Sequence, residues 1–219
     1  MIFLNFKTYQ SGTGQNALLI AKMAEDVSNE SGVGIFLLVQ STDIKDVATT
    51  TNLEVWSQKI DPISFGAHTG GILPEAVKED GAVGTSLNHS ENRVDDFESL
   101  TKAHERAREV GLKTLIFAKD IEELEKVSIL NPDYLSYEPP GLIGNKNISV
   151  ATAKPNIISR AVVISKKAGT PLIVGAGVHS KDDVKKCIEL GATGIAVASD
   201  VMMSDSPREE LLELTKGFA

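Results

Sequence analysis

Eight short runs of apolar or β-branched residues recur along this 219-residue chain, each followed by a longer polar or amphipathic stretch. The runs are IFLNF (2–6), VGIFLLVQ (33–40), LEVWSQ (53–58), AVGTSL (82–87), KTLIFA (113–118), DYLSYE (133–138), PLIVGA (171–176) and TGIAVA (193–198). Runs this short and this apolar suit strands buried on both faces. Between them lie helical patterns such as NALLIAKMAEDVSNES, RVDDFESLTKAHERAREVG, DIEELEKVSIL, ATAKPNIISRAVVISKKAG, DDVKKCIELG and REELLELTKGF, several of them closing at Gly. Strand followed by helix, repeated, demands parallel pairing, because a parallel neighbour can be reached only through a crossover.

Eight units of about 27 residues each are close to the minimum for a βαβ repeat, so residues 1–219 read as a single domain. The expected class is α/β: a (β/α)8 barrel of eight parallel strands, each followed by a helix or helical turn. An open doubly wound sheet would use the same elements, and periodicity alone does not decide closure. The stretch DPISFGAHTGGILP (61–74), rich in Gly and Pro, reads as a long loop, and ordered loops of that length are usually functional.

The net charge of −8 excludes a nucleic-acid footprint, which needs clustered Lys and Arg. It does not exclude a small anion, which a few backbone N–H groups and one Lys can hold. The longest apolar run, 33–39, is far short of the ~20 residues of a membrane span, and the beginning MIFLNFKTY lacks the pattern of a secretion signal. A cytoplasmic location without membrane contact is expected, which makes the sequons at Asn29, Asn88 and Asn147 chance matches. The one cysteine, Cys187, sits in a helical pattern and reads as an inert core residue. No His, Cys or carboxylate cluster has metal-ligand spacing, and no nucleotide-binding motif is present, so neither metal nor cofactor is expected.

In a closed barrel the active site forms at the C-terminal strand ends, so the residues to weigh are polar ones where each apolar run stops. The first run ends on Asn5 and Lys7, the fourth on His89-Ser90-Glu91, the sixth on Glu138, the seventh on Gly175-Ala176-Gly177 and the eighth on Ala198-Ser199. Glu138, flanked by apolar residues, can be partly desolvated and serve as a base for carbon acids. Behind it, Pro139 and Pro140 fix the entry of a loop that Gly141 and Gly144 allow to close as a lid. His89, at the end of one strand and the expected start of a helix, would be kept neutral by the helix N-terminus and donate to a carbonyl oxygen. Lys7 would place a point charge beside an oxyanion. The turns at Gly175-Gly177 and Ala198-Ser199 would aim amides at one phosphate. His68, His104 and His179 read as ordinary polar or interface residues.

Taken together, Asn5-Phe6-Lys7, His89-Ser90-Glu91, Tyr137-Glu138-Pro139-Pro140 with Leu142-Ile143-Gly144, and Gly175-Ala176-Gly177 resemble the triosephosphate isomerases in their short archaeal form, over the whole chain. The resemblance implies interconversion of dihydroxyacetone phosphate and glyceraldehyde 3-phosphate through an enediolate, with Glu138 as base and neutral His89 as electrophile. It further implies that Lys7 stabilises the negative oxygen, that Asn5 binds substrate, and that Glu91 orients Lys7. Ile143, Gly144, Gly175, Gly177, Ala198 and Ser199 would complete the substrate site. Loop 139–146 would exclude water on closing. The segment GAHTGG (66–71) resembles the loop by which this family docks into a neighbouring subunit, which implies a homo-oligomer, dimer or tetramer, through residues 61–74.

The chain departs from the family in its phosphate turn, VGAGVHS, and in Gly141. Two other readings stay open on residues alone. One is an aldolase-like barrel in which Lys7 forms a Schiff base. The other is a non-catalytic barrel that senses a sugar phosphate.

Overall fold

The computed structural model describes residues 1–139 and 155–219. Eight parallel strands form one closed barrel in sequence order: β1 (Ile2–Asn5), β2 (Ile35–Val39), β3 (Glu54–Ser57), β4 (Gly84–Leu87), β5 (Lys113–Ala118), β6 (Tyr134–Tyr137), β7 (Leu172–Val174) and β8 (Gly194–Val197). The closure that periodicity left undecided is made by β8 pairing with β1, with Ile195 beside Ile2 and Val197 beside Leu4. Around the barrel lie α1 (Gln15–Ser31), α2 (Ile44–Thr50), α3 (Pro74–Glu79), α4 (Phe97–Glu109), α5 (Ile121–Ser128), α6 (Pro155–Ala168), α7 (Lys181–Glu189), α8 (Ser199–Met202) and α9 (Pro207–Thr215).

The helices form because their apolar residues repeat at three and four and their ends are capped. In α1 the buried set is Ala17, Ile20, Ala21, Ala24 and Val27, one stripe facing the strands. The helix stops at Gly32, whose left-handed φ of 70° lets its N–H reach back to Ser28 O. Asp96, Asp120 and Ser180 cap α4, α5 and α7 by accepting from the amides of Ser99, Glu123 and Asp183.

Two differences from the sequence expectation stand out. The helix expected over 93–111 begins only at Phe97, because Asp96 rather than an earlier residue supplies the cap. Two short helices, α2 and α3, occupy stretches that carry too few apolar repeats to announce themselves.

The core has two shells. One lies between strands and helices; the other fills the barrel interior with Phe3, Leu38, Trp56, Leu115, Phe117, Ile173 and Ala196. Near the N-terminal strand ends, Phe3, Trp56 and Tyr134 meet edge to face, with Phe36 beside them, and plug the barrel. Leu38, Phe117 and Ala196 cap this packing from above and form the base of a cavity at the opposite, C-terminal end. Cys187 is fully buried, and burial, with Asp183 adding to it, pushes its thiol up to about 12. Among the described residues no helix is long and apolar enough to cross a membrane.

Candidate active site

The cavity at the C-terminal strand ends is lined by Asn5 and Lys7 from β1 and the turn after it, His89 after β4, Glu138 after β6, Gly175 and Gly177 after β7, and Ala198 and Ser199 after β8. Apart from Ile143 and Gly144, which lie outside the described residues with Gly141 and most of loop 139–146, every sequence-derived substrate or catalytic candidate is therefore gathered in one place. Among the described residues no group of His, Cys, Asp and Glu is arranged to hold a metal ion.

Glu138 is only 6% exposed, and its N–H continues the β5–β6 ladder by donating to Ala118 O at 2.8 Å. Its Oε2 accepts from the amide of Ser90 at 3.4 Å, and its Oε1 lies 3.5 Å from Nε2 of His89. Gly175 stands beside it. A Cβ there would sit 2.8 Å from Ser136 Oγ, too close for both to keep their places, and at contact distance, 3.4 Å, from the Glu138 Cβ.

His89 is also buried, edge-on to Phe117. Because α4 begins eight residues later, the ring does not sit on a helix N-terminus. Burial is what pushes its pKa below the ordinary value, against the pull of Glu138 and Glu91 and with help from Lys7 and Arg93. The expected neutrality therefore has a different physical source. The amide of Glu91 donates to Nδ1 at 3.2 Å, which leaves Nε2 as the protonated nitrogen facing Glu138.

Lys7 has a φ of 46°, a conformation that costs a side-chain-bearing residue and persists only where neighbours over-determine it. Its N–H donates to Asn5 Oδ1 at 2.9 Å, and Gln58 Nε2 donates to Lys7 O at 2.9 Å and to Asn5 Oδ1 at 3.3 Å. Lys7 Nζ lies 2.7 Å from Glu91 Oε1. Gln58 was not singled out in the sequence, although it ends the third apolar run as Asn5 ends the first.

The turn Gly175-Ala176-Gly177 takes a left-handed φ of 66° at Gly177, and the amides of Gly177 and Val178 join none of the turn and loop backbone bonds among the described residues. Ala198 and Ser199 open α8. Two further polar side chains line the cavity: Asp200, which no sequence pattern marks, and His179, which reads in the sequence as an ordinary polar residue.

A parallel eight-stranded barrel whose mouth holds a buried carboxylate, a neutral imidazole and an ammonium is built for proton transfer on a small substrate. The family model described as triosephosphate isomerase matches residues 1–216. Curated relatives with that name include proteins from Methanobacterium bryantii, 43% identical over 98% of this chain and 95% of the relative, and from Methanocaldococcus jannaschii, 38% identical over 99% of each. A crystal structure of triosephosphate isomerase from Bartonella henselae superposes with a TM-score of 0.76 at 17% identity, covering 99% of this chain and 98% of that one, a likeness of fold. The chain belongs to the triosephosphate isomerase family.

Proposed function

We propose that the chain interconverts dihydroxyacetone phosphate and D-glyceraldehyde 3-phosphate, with Glu138 moving the proton between adjacent carbons and His89 stabilising the enediolate. The observation that carries this reading is the approach of Glu138 Oε1 to His89 Nε2, 3.5 Å, inside a cavity shared with Lys7 and Asn5. A carboxylate takes the carbon-bound proton as electrons move onto the carbonyl oxygen. The Nε2–H of a neutral ring donates to that oxygen, and Lys7 offsets its growing charge. Asn5 binds substrate and Glu91 orients Lys7, a role its 2.7 Å contact supports.

Gly175, Gly177, Ala198 and Ser199 hold the phosphate through backbone N–H groups, with Ile143 and Gly144 contributing from the lid; the left-handed Gly177 supports this. No cofactor takes part. Residues 1–219 work as one domain in the cytoplasm, as a homo-oligomer joined through the loop near 61–74. Phe65, 76% exposed on that loop, and the tie of Asp61 to Ile72 that closes it support a docking role.

The test is isomerisation of glyceraldehyde 3-phosphate by wild type and by Glu138→Gln. Turnover in the variant should fall by about 10²–10⁴ with KM little changed. A pure wild-type protein without activity overturns the reading, and so does a borohydride-trapped substrate adduct on Lys7.

A further inference from the structure

The turns after β7 and β8 are joined by a side-chain contact: Nδ1 of His179 lies 3.0 Å from Oδ2 of Asp200. Both residues line the cavity on the side of Gly175, Gly177 and Ser199. The position of His179 is fixed by the start of α7. Its N–H donates to Asp183 Oδ2 at 3.0 Å, the same oxygen accepts from Ser180 Oγ at 2.9 Å, and Ser180 Oγ accepts in turn from the amide of Asp183. Asp183 is itself buried. The imidazole Nε2 is buried without a hydrogen-bond partner among the described residues, so Asp200 is the ring's one polar partner there.

Asp200 creates a problem that the geometry also answers. It sets a negative charge at the rim of a cavity that must take a phosphate monoester carrying close to two negative charges. Like charges brought together in a partly desolvated site weaken binding. Lys7 lines the cavity beside Glu91, but from Gly175 to His179 and from Ala198 to Asp200 the lining contains no Lys or Arg. His179 is the one side chain there able to offset the carboxylate. With Asp200 as acceptor, Nδ1 carries a hydrogen, and that N–H, aimed at Oδ2, offsets the carboxylate's charge from 3.0 Å.

We propose that His179 and Asp200 form a charge-compensating pair that sets phosphate affinity in this site and holds the two phosphate-facing turns in register. His179 is thus a positioning residue acting through Asp200. This proposal rests on the phosphorylated-triose reading given above. It predicts that His179 matters because Asp200 is there.

Inorganic phosphate is the probe, its Kd measured by calorimetric titration of the whole protein, alongside KM and kcat for glyceraldehyde 3-phosphate. His179→Gln should weaken phosphate binding and raise KM, each about tenfold, a loss in binding rather than in kcat. Asp200→Asn should bind phosphate at least as tightly as wild type. The double variant His179→Gln/Asp200→Asn should return to within about threefold of wild type, because an interaction energy is expected only between coupled neighbours. Thermal melts check that each variant is folded. Phosphate affinity unchanged in His179→Gln overturns the proposal, and so does a double variant as weak as His179→Gln. A wild type that neither binds phosphate nor isomerises the triose phosphate overturns the underlying functional reading instead, before any variant is made.

Discussion

The backbone N–H of Glu91 donates to Nδ1 of His89, and this contact decides which ring nitrogen faces Glu138. An amide can only donate, so Nδ1 must accept, and the neutral ring carries its hydrogen on Nε2. Long-range nitrogen NMR on the folded protein should show the Nε2–H tautomer. At pH 6.5, where an ordinary histidine is half protonated, His89 should be more than half neutral, since burial lowers its pKa. An imidazolium spectrum at that pH overturns the assignment.

Burial also lowers the pKa of His104, aided by Arg108, on the inner face of α4 where its Nδ1 lies 3.1 Å from Thr114 Oγ1. Both histidines titrate near 6.5 once unfolded but lower when folded. Below 6.5 the unfolded chain therefore binds more protons, and stability should fall as pH drops towards the folded pKa values, then level off. The slope dies away about one pH unit above 6.5, where the unfolded histidines too are neutral. Denaturant unfolding at pH 7.5, 6.5 and 5.5 measures this, and His104→Gln should flatten the profile. A profile unchanged by that substitution would show that His104 is not one of its sources.

Gln58→Leu should leave the fold intact but release Lys7 O and Asn5 Oδ1, allowing the strained Lys7 backbone to relax. Displacing both residues should lower kcat/KM about ten- to a hundredfold. Steady-state kinetics on a folded variant decides it; wild-type kcat/KM would mean that the Asn5 contact alone fixes Lys7.

Gly175→Ala introduces a methyl 2.8 Å from Ser136 Oγ and within contact of Glu138. Overpacking here should cost about 1–3 kcal/mol of stability. Turnover should stay within a few-fold of wild type, since the atom that must yield is Ser136 Oγ while the Glu138 Cβ remains at ordinary contact distance. A large loss of turnover in a folded variant would show that the strain passes on to Glu138.

The barrel was legible in the sequence because strands buried on both faces become unbroken apolar runs, and eight of them at regular intervals leave few alternatives. The candidates at strand ends were legible for the same reason: Asn5 and Glu138 stand at the end of such a run, and Lys7 and His89 just beyond one. Short elements were not. Helix α2 buries only Ile44 and Val47, too little for a period, and α3 opens on Pro74 at the end of a stretch that reads as loop. Nor could the sequence show that His89 owes its neutrality to burial against Phe117, or that His179 meets Asp200 twenty-one residues away. Those facts depend on which turns become neighbours when the sheet closes, and no local pattern encodes that.

Trp56, the chain's one tryptophan, packs among Phe3, Phe36 and Tyr134 near the N-terminal strand ends, with Leu38 and Phe117 between this plug and the cavity. Intrinsic fluorescence is therefore a gauge of whether the staves of the barrel hold together. It should change sharply when they part and stay nearly silent when a ligand enters the mouth, so optical titration of the site needs a reporter introduced elsewhere.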